Sequence, residues 1–358
     1  MSISDYLDKM KSIQKSILDF FENQEKSEEY FQNLNTKIED FKIHDDSHLL
    51  RMFLHILIKI SNNHIRQQNF WEKMERLLRL FKKEMLENFS NNELFNIFDS
   101  NKRLLLYLIE EKIITINNYI AQKIITKFGN YRYHQYFAPE IKPFLKMKKN
   151  EEDYMMRTYF DEIQKELPEN FYQNRKNGEN EEYICELIRT DSIKEFIIYV
   201  NKNSIKLNSK ISLSIFETNE FFLKNFLNRY NYNMPSLIEY ATFYGSIQIF
   251  KYLQLNRVEL TSSLWLYAIH GNNPEIIHIL EENQIQPINN DYLQTFIDSI
   301  KCYYNDLSNY FINNYLQNYE DKIKSSLDFF EFYNFNFIEN ERDLDKNTIF
   351  NFSFSFNF

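Results

Sequence analysis

The chain has 358 residues, with 42 Lys and Arg against 51 Asp and Glu, and 43% of it is hydrophobic. That balance allows a large core, excludes wholesale disorder, and provides no general electrostatic grip on nucleic acid. Its four glycines, Gly129, Gly178, Gly245 and Gly271, are too widely spaced to line a phosphate-cradling loop, which excludes Walker-type and dinucleotide-binding chemistry.

The first segment, 1–128, reads as a helical region. Met10, Ile17 and Phe21 recur at helical spacing, as do Phe31, Leu34 and Ile38, and then Phe70, Met74, Leu77 and Phe81. The start Met1-Ser2-Ile3-Ser4-Asp5 lacks the basic and apolar regions of a signal peptide. The most apolar early run, 49–60, carries Arg51, His55 and Lys59 and is too short and too charged to span a bilayer. Cys185 and Cys302 form no disulfide framework. A cytoplasmic location is therefore the expectation.

Residues 129–178 hold the strongest punctuation, with Pro139, Pro143, Pro168 and the polar run from Gln173 to Asn180. They read as a connector, with the main internal boundary near 178.

From 179 to 338 the chain reads as a repeat array. Residues 236–260 match 263–287 at a fixed offset of 27: Ser236 meets Ser263, Tyr240-Ala241 meets Tyr267-Ala268, Ile249 meets Ile276, and Leu253 meets Leu280. An offset of 54, twice 27, puts Ser192-Ile193 on Ser246-Ile247. An offset of 31 puts Phe311 on Leu280. A unit at 208–234 follows from the spacing alone. Each copy reads as helix, tight turn, helix and polar loop. Ala241 and Ala268 lie where neighbouring units approach, and Gly245 and Gly271 lie where the chain reverses.

The run Tyr240-Ala241-Thr242-Phe243-Tyr244-Gly245-Ser246-Ile247-Gln248-Ile249-Phe250 resembles an ankyrin repeat. Ser263 to Gly271 with Pro274-Glu275-Ile276-Ile277 resembles a divergent form of it, as does the lead-in from Gly178 to Cys185. The whole is similar to an uncharacterised ankyrin-containing family, classed as a domain of unknown function and abundant in some parasitic protists. The unit is shorter than the family's, and Glu239 and Leu266 stand where its histidine would be. The resemblance implies an all-α fold, an α-solenoid of helix-turn-helix repeats, that binds proteins through its concave face and loop tips. On this register the concave column includes Arg189, Glu239, Phe243, Leu266, His270 and Lys301, and the loop tips are Asn256-Arg257 and Asn283-Gln284.

No motif of enzyme chemistry accompanies the repeat. His44 and His48 have a spacing that can share a helix face, but Asp45, Asp46 and Ser47 between them read as a helix start. Cys302 reads as a structural thiol, and Trp71 and Trp265 read as core. The lysines at 142, 146, 148 and 149 are followed at once by Glu151-Glu152-Asp153, a self-neutralising run. The expectation is a non-catalytic scaffold or adaptor with protein partners, no nucleic acid, no membrane span, and no cofactor or metal. Two alternatives stand beside it. One is self-association through the Phe-, Asn- and Ser-rich tail, 339–358, which also reads as an unfinished repeat. The other is an enzyme whose site in the N-terminal region uses His44, His48 or His55.

Overall fold

A computed structural model describes residues 3–23, 25–64, 69–126, 133–144, 163, 165–225, 234–317 and 331–337. The tail at 339–358, Lys146, Lys148, Lys149 and much of the connector lie outside the described residues. The regular secondary structure of the described residues is helical, apart from a single isolated β-bridge between Lys210 and Ser236. No helix among them is long and apolar enough to cross a membrane.

The helices in chain order are α1 (Ile3–Glu22), α2 (Ser27–Asp40), α3 (Ser47–Asn63), α4 (Phe70–Leu80), α5 (Lys82–Asn88), α6 (Asn91–Phe98) and α7 (Lys102–Glu110). There follow α8 (Asn118–Thr126), α9 (Tyr133–Tyr136), α10 (Ala138–Ile141), α11 (Phe171–Asn177), α12 (Tyr183–Arg189), α13 (Ile193–Lys202) and α14 (Glu220–Asn225). The last are α15 (Leu237–Phe243), α16 (Ile247–Leu255), α17 (Leu264–Gly271), α18 (Pro274–Glu282), α19 (Tyr292–Lys301) and α20 (Asn305–Tyr315). They form two compact units. A central unit comprises Phe89–Leu260, and an end-joining unit combines Met1–Asn88 with Thr261–Phe358. The division at 260 and 261 falls between the two best-matched copies of the repeat, so it differs from the boundary near 178 drawn from composition.

In the end-joining unit, α1 packs along α2 through Phe20 and Phe31, and Phe21 meets Phe70 of α4. Lys73 closes the α1 C-terminus: its buried ammonium donates to the carbonyls of Phe20 (2.9 Å) and Asn23 (2.7 Å). A cation there meets the negative end of the helix dipole and satisfies carbonyls that the helix itself leaves unpaired. At α3 the Asp46 carboxylate accepts from the His48 and Leu49 amides, the helix start that the sequence suggested. His55 of α3 stacks on Tyr333, which joins this helix to the far end of the chain.

In the central unit α7 buries two cations at its first turn. Lys102 donates to the Ile215 carbonyl and Arg103 to the Lys176 carbonyl. Arg175 of α11 is buried and forms a two-pronged ion pair with Glu140, at 2.8 and 2.9 Å, beside the ring of Tyr136. Gly178 follows at φ +70°, buried, with its carbonyl accepting from Thr218 Oγ1 at 2.6 Å. A Cβ there would lie 3.1 Å from that hydroxyl oxygen, so glycine meets both a backbone and a space requirement. Polarity between 173 and 180 therefore includes groups spent on buried pairing, and so resembled a linker. Removing one partner of a buried ion pair strands the other, at a typical cost of ~3–5 kcal/mol. Arg175→Met is expected to lower the urea midpoint accordingly. Arg175→Met combined with Glu140→Leu should cost less than the single change.

Candidate interaction surface

The offsets 54, 27 and 31 read from the sequence recur in the backbone. Asp191, Gly245, Asn272 and Tyr303, each just past the first helix of a pair (α12, α15, α17 and α19), all have positive φ, at 47°, 65°, 44° and 64°. After three of them the next amide reaches back to a carbonyl five residues earlier: Ser192 to Leu187, Ser246 to Ala241, and Tyr304 to Ser299. In the second copy Asn272, rather than Gly271, takes the left-handed conformation. Gly271 is the last residue of α17, which corrects the expectation for that glycine. Asparagine tolerates this region, so the glycine was free to remain helical. Gly245→Ala is expected to cost ~1–2 kcal/mol in chemical unfolding, while Asn272→Gly stays within about 0.5 kcal/mol of wild type.

The second helices of three pairs, α13, α16 and α18, end alike. Asn203, Asn256 and Asn283 each turn a side-chain amide back onto a carbonyl four residues earlier, at 2.8, 2.8 and 2.7 Å. The following residues, Ser204, Arg257 and Gln284, have φ of 51°, 64° and 56°. The next amides bond to Val200, Leu253 and Leu280, a C-terminal motif that satisfies otherwise orphaned carbonyls. Around these constant asparagines the exposed neighbours differ: Lys202 and Ser204, Leu255 and Arg257, Glu282 and Gln284. Leu255 is 82% exposed.

The helix pair α12–α13 packs directly on α15–α16 in the central unit. Asp191 makes that junction: its carboxylate accepts from the Gln248 and Ile249 amides, both at 3.0 Å, and so caps the next pair's outer helix. Ser246 Oγ donates to the Ile188 carbonyl at 2.5 Å. No helix pair fills 208–234 among the described residues, where α14 is the one helix. The repeat pattern did not show the junction, although an acidic residue at the turn was its visible sign.

The inner column is largely consumed inside each unit. In the central unit Phe243, 5% exposed, lies against Phe221 and Phe222. Glu239 closes a capping box with Ser236. Arg189 pairs with Glu179 at 2.8 Å and donates to the Asn180 carbonyl and the Tyr240 hydroxyl. In the end-joining unit His270 is 1% exposed, Leu266 is half-buried, and Lys301 is half-buried over the Phe332 ring. Phe243 and His270 are therefore core residues, a correction to their placement on an open face. Additional layers, from α14 in one case and 302–304 in the other, cover them. The four tip residues Asn256, Arg257, Asn283 and Gln284 are exposed.

His270 Nδ1 lies 3.3 Å from Cys302 Sγ, a separation suited to a thiol–imidazole pair. Burial pushes the thiol well above its usual range and lowers the imidazole to about 3. Both are thus neutral at pH 7, whereas nucleophilic chemistry requires the thiolate. His64 Nδ1 donates to the Cys302 carbonyl at 2.8 Å. His44 is held by Glu84 at 3.0 Å and stacked on Phe81, and His55 lies under Tyr333. No group of three metal-ligating side chains occurs among the described residues. A pocket of about 470 Å³ in the end-joining unit is lined by Lys15, Asp19, Glu22, Asn272, Tyr304 and Asp306, among others. Its carboxylates outnumber its lysine, and burial raises the Asp19 carboxyl above its usual range. Comparison with protein-family models, curated proteins and solved structures returns no match.

Proposed function

We propose that this chain is a divergent ankyrin-like repeat protein, an α-solenoid that acts in the cytoplasm as a non-catalytic adaptor and binds protein partners through its outer loop tips. The observation that carries this reading is the constant asparagine cap with variable exposed neighbours. A fixed frame holds each tip in one conformation, while side chains of different charge and size are presented around it. Preorganised loops of this kind lose little entropy on binding, which favours affinity from a small contact. The neutrality of the buried Cys302 and His270 pair supports a non-catalytic role at that position.

A photocrosslinking side chain placed at Arg257 or Gln284 tests the reading in the chain's own cells. Discrete adducts with another protein are expected from these positions. A probe at Ile198, which is 65% exposed on α13 and away from the tips of its helix, should give far less. Equal labelling from all three positions, or none from the tips, would contradict tip-mediated binding.

A further inference from the structure

The segment Tyr333-Asn334-Phe335 is held in the end-joining unit by contacts that read its sequence. Gln14 of α1, itself buried, donates its side-chain amide to Asn334 Oδ1 at 3.2 Å and accepts from the Phe335 amide at 3.1 Å. Asn334 Nδ2 donates to the Ile300 carbonyl at 2.9 Å and to Asn305 Oδ1 at 3.1 Å. Tyr303 donates its hydroxyl to the Phe332 carbonyl, and Tyr333 lies parallel to His55 with ring centroids 5.5 Å apart. All three residues of the segment are buried, so the groove recognises an aromatic residue, an asparagine whose oxygen and nitrogen are both engaged, and a phenylalanine. An aspartate or leucine in the middle place would leave buried polar atoms unpaired.

The same tripeptide class, aromatic-Asn-Phe, recurs close by. Besides Tyr333-Asn334-Phe335 and the overlapping Phe335-Asn336-Phe337, it occurs as Phe350-Asn351-Phe352 and Phe356-Asn357-Phe358, and nowhere before 333. The described residues therefore form one such groove, and the sequence carries more than one ligand for it. Whichever copy fills the groove, others are left over.

We propose that this groove is a peptide-recognition site, and that the 350–358 segment of a second copy of this chain occupies it by exchange with Tyr333-Asn334-Phe335. The asparagine and phenylalanine contacts are exchanged like for like, and only the Tyr333 hydroxyl has no counterpart in Phe350 or Phe356, so much of the cost is that of bringing two chains together, as in domain swapping. Reciprocal exchange between two copies closes a dimer, and one-way exchange extends a chain; in both cases association rises with concentration. This inference does not depend on the adaptor reading.

Sedimentation velocity of the full chain between ~1 and ~100 µM tests it directly. The wild type is expected to associate with rising concentration. Asn351→Ala with Asn357→Ala, which keeps every phenylalanine, should weaken association at least tenfold, while Asn334→Ala, which removes the resident competitor, should strengthen it. A second measurement covers the case in which Asn334→Ala does not fold. A synthetic peptide of residues 346–358 added to the wild type should speed amide hydrogen exchange in 331–337, and the same peptide with alanine at both asparagines should not. A wild type that stays monomeric with no response to the peptide would overturn the proposal. So would unchanged association in the variant lacking both tail asparagines, which would mean nonspecific phenylalanine contact.

Discussion

Replacing Trp265 by alanine is expected to lower the stability of the end-joining unit by ~3–5 kcal/mol. Trp265 is fully buried in α17. Its indole N–H donates to the Ile285 carbonyl at 2.6 Å, and its ring meets Tyr292 of α19 and Phe311 of α20 edge-on. One side chain thus ties α17 to the loop after α18 and to the next helix pair. Alanine leaves a cavity and also strands a carbonyl. Trp265→Phe keeps most of the packing and should lose only about 1–2 kcal/mol for the missing donor. The chain has two tryptophans, so Trp71 fluorescence can follow urea unfolding in the variant. A loss below about 1 kcal/mol for alanine would show that the residue does not hold this junction.

Acid is expected to destabilise the same unit well above the ordinary carboxylate range. Burial lowers His55 to about 4, aided by Arg51 and Lys59, and lowers His270 to about 3, aided by Lys301. In the unfolded chain both return to about 6.5. Between that value and the folded one, the unfolded state binds more protons, so stability present at pH 7 is lost as pH falls below ~6.5. Each histidine adds at most one proton of difference between the two states in that window, so the two together steepen the loss toward about 3 kcal/mol per pH unit near pH 5. Asp298 opposes them, because burial raises its carboxyl and the folded state takes up its proton first. His55→Gln should remove about half of the slope between pH 6 and 4.5. Thermal unfolding at four pH values checks this, and a flat profile across that range would exclude histidines held neutral by the fold.

Much of the repeat was legible because its constraints are local. A residue that must adopt positive φ, or an asparagine that must close a helix, recurs wherever the same turn recurs, so Asp191, Gly245 and Asn272 line up at offsets of 54 and 27. The inner column was less legible. Whether a mid-helix position faces solvent depends on what lies over it, and Phe221 and Phe222 cover Phe243 from outside its own repeat. Polar residues in the column were ambiguous for a related reason. Glu239 serves its own helix start and Arg189 serves Glu179, and neither use recurs at a fixed offset along the chain. The joining of the chain ends was least visible, since Gln14 and Asn334 are 320 residues apart and their pairing leaves no periodic trace.

Partner binding at the loop tips is tested most directly by affinity capture of the tagged chain from its own cells. It should run beside a variant carrying Leu255→Lys, Arg257→Glu and Gln284→Lys. These exposed positions should change the melting temperature little, which circular dichroism verifies. The account predicts a protein captured by the wild type and lost from the variant. Capture of the same protein in equal amount by both would contradict it.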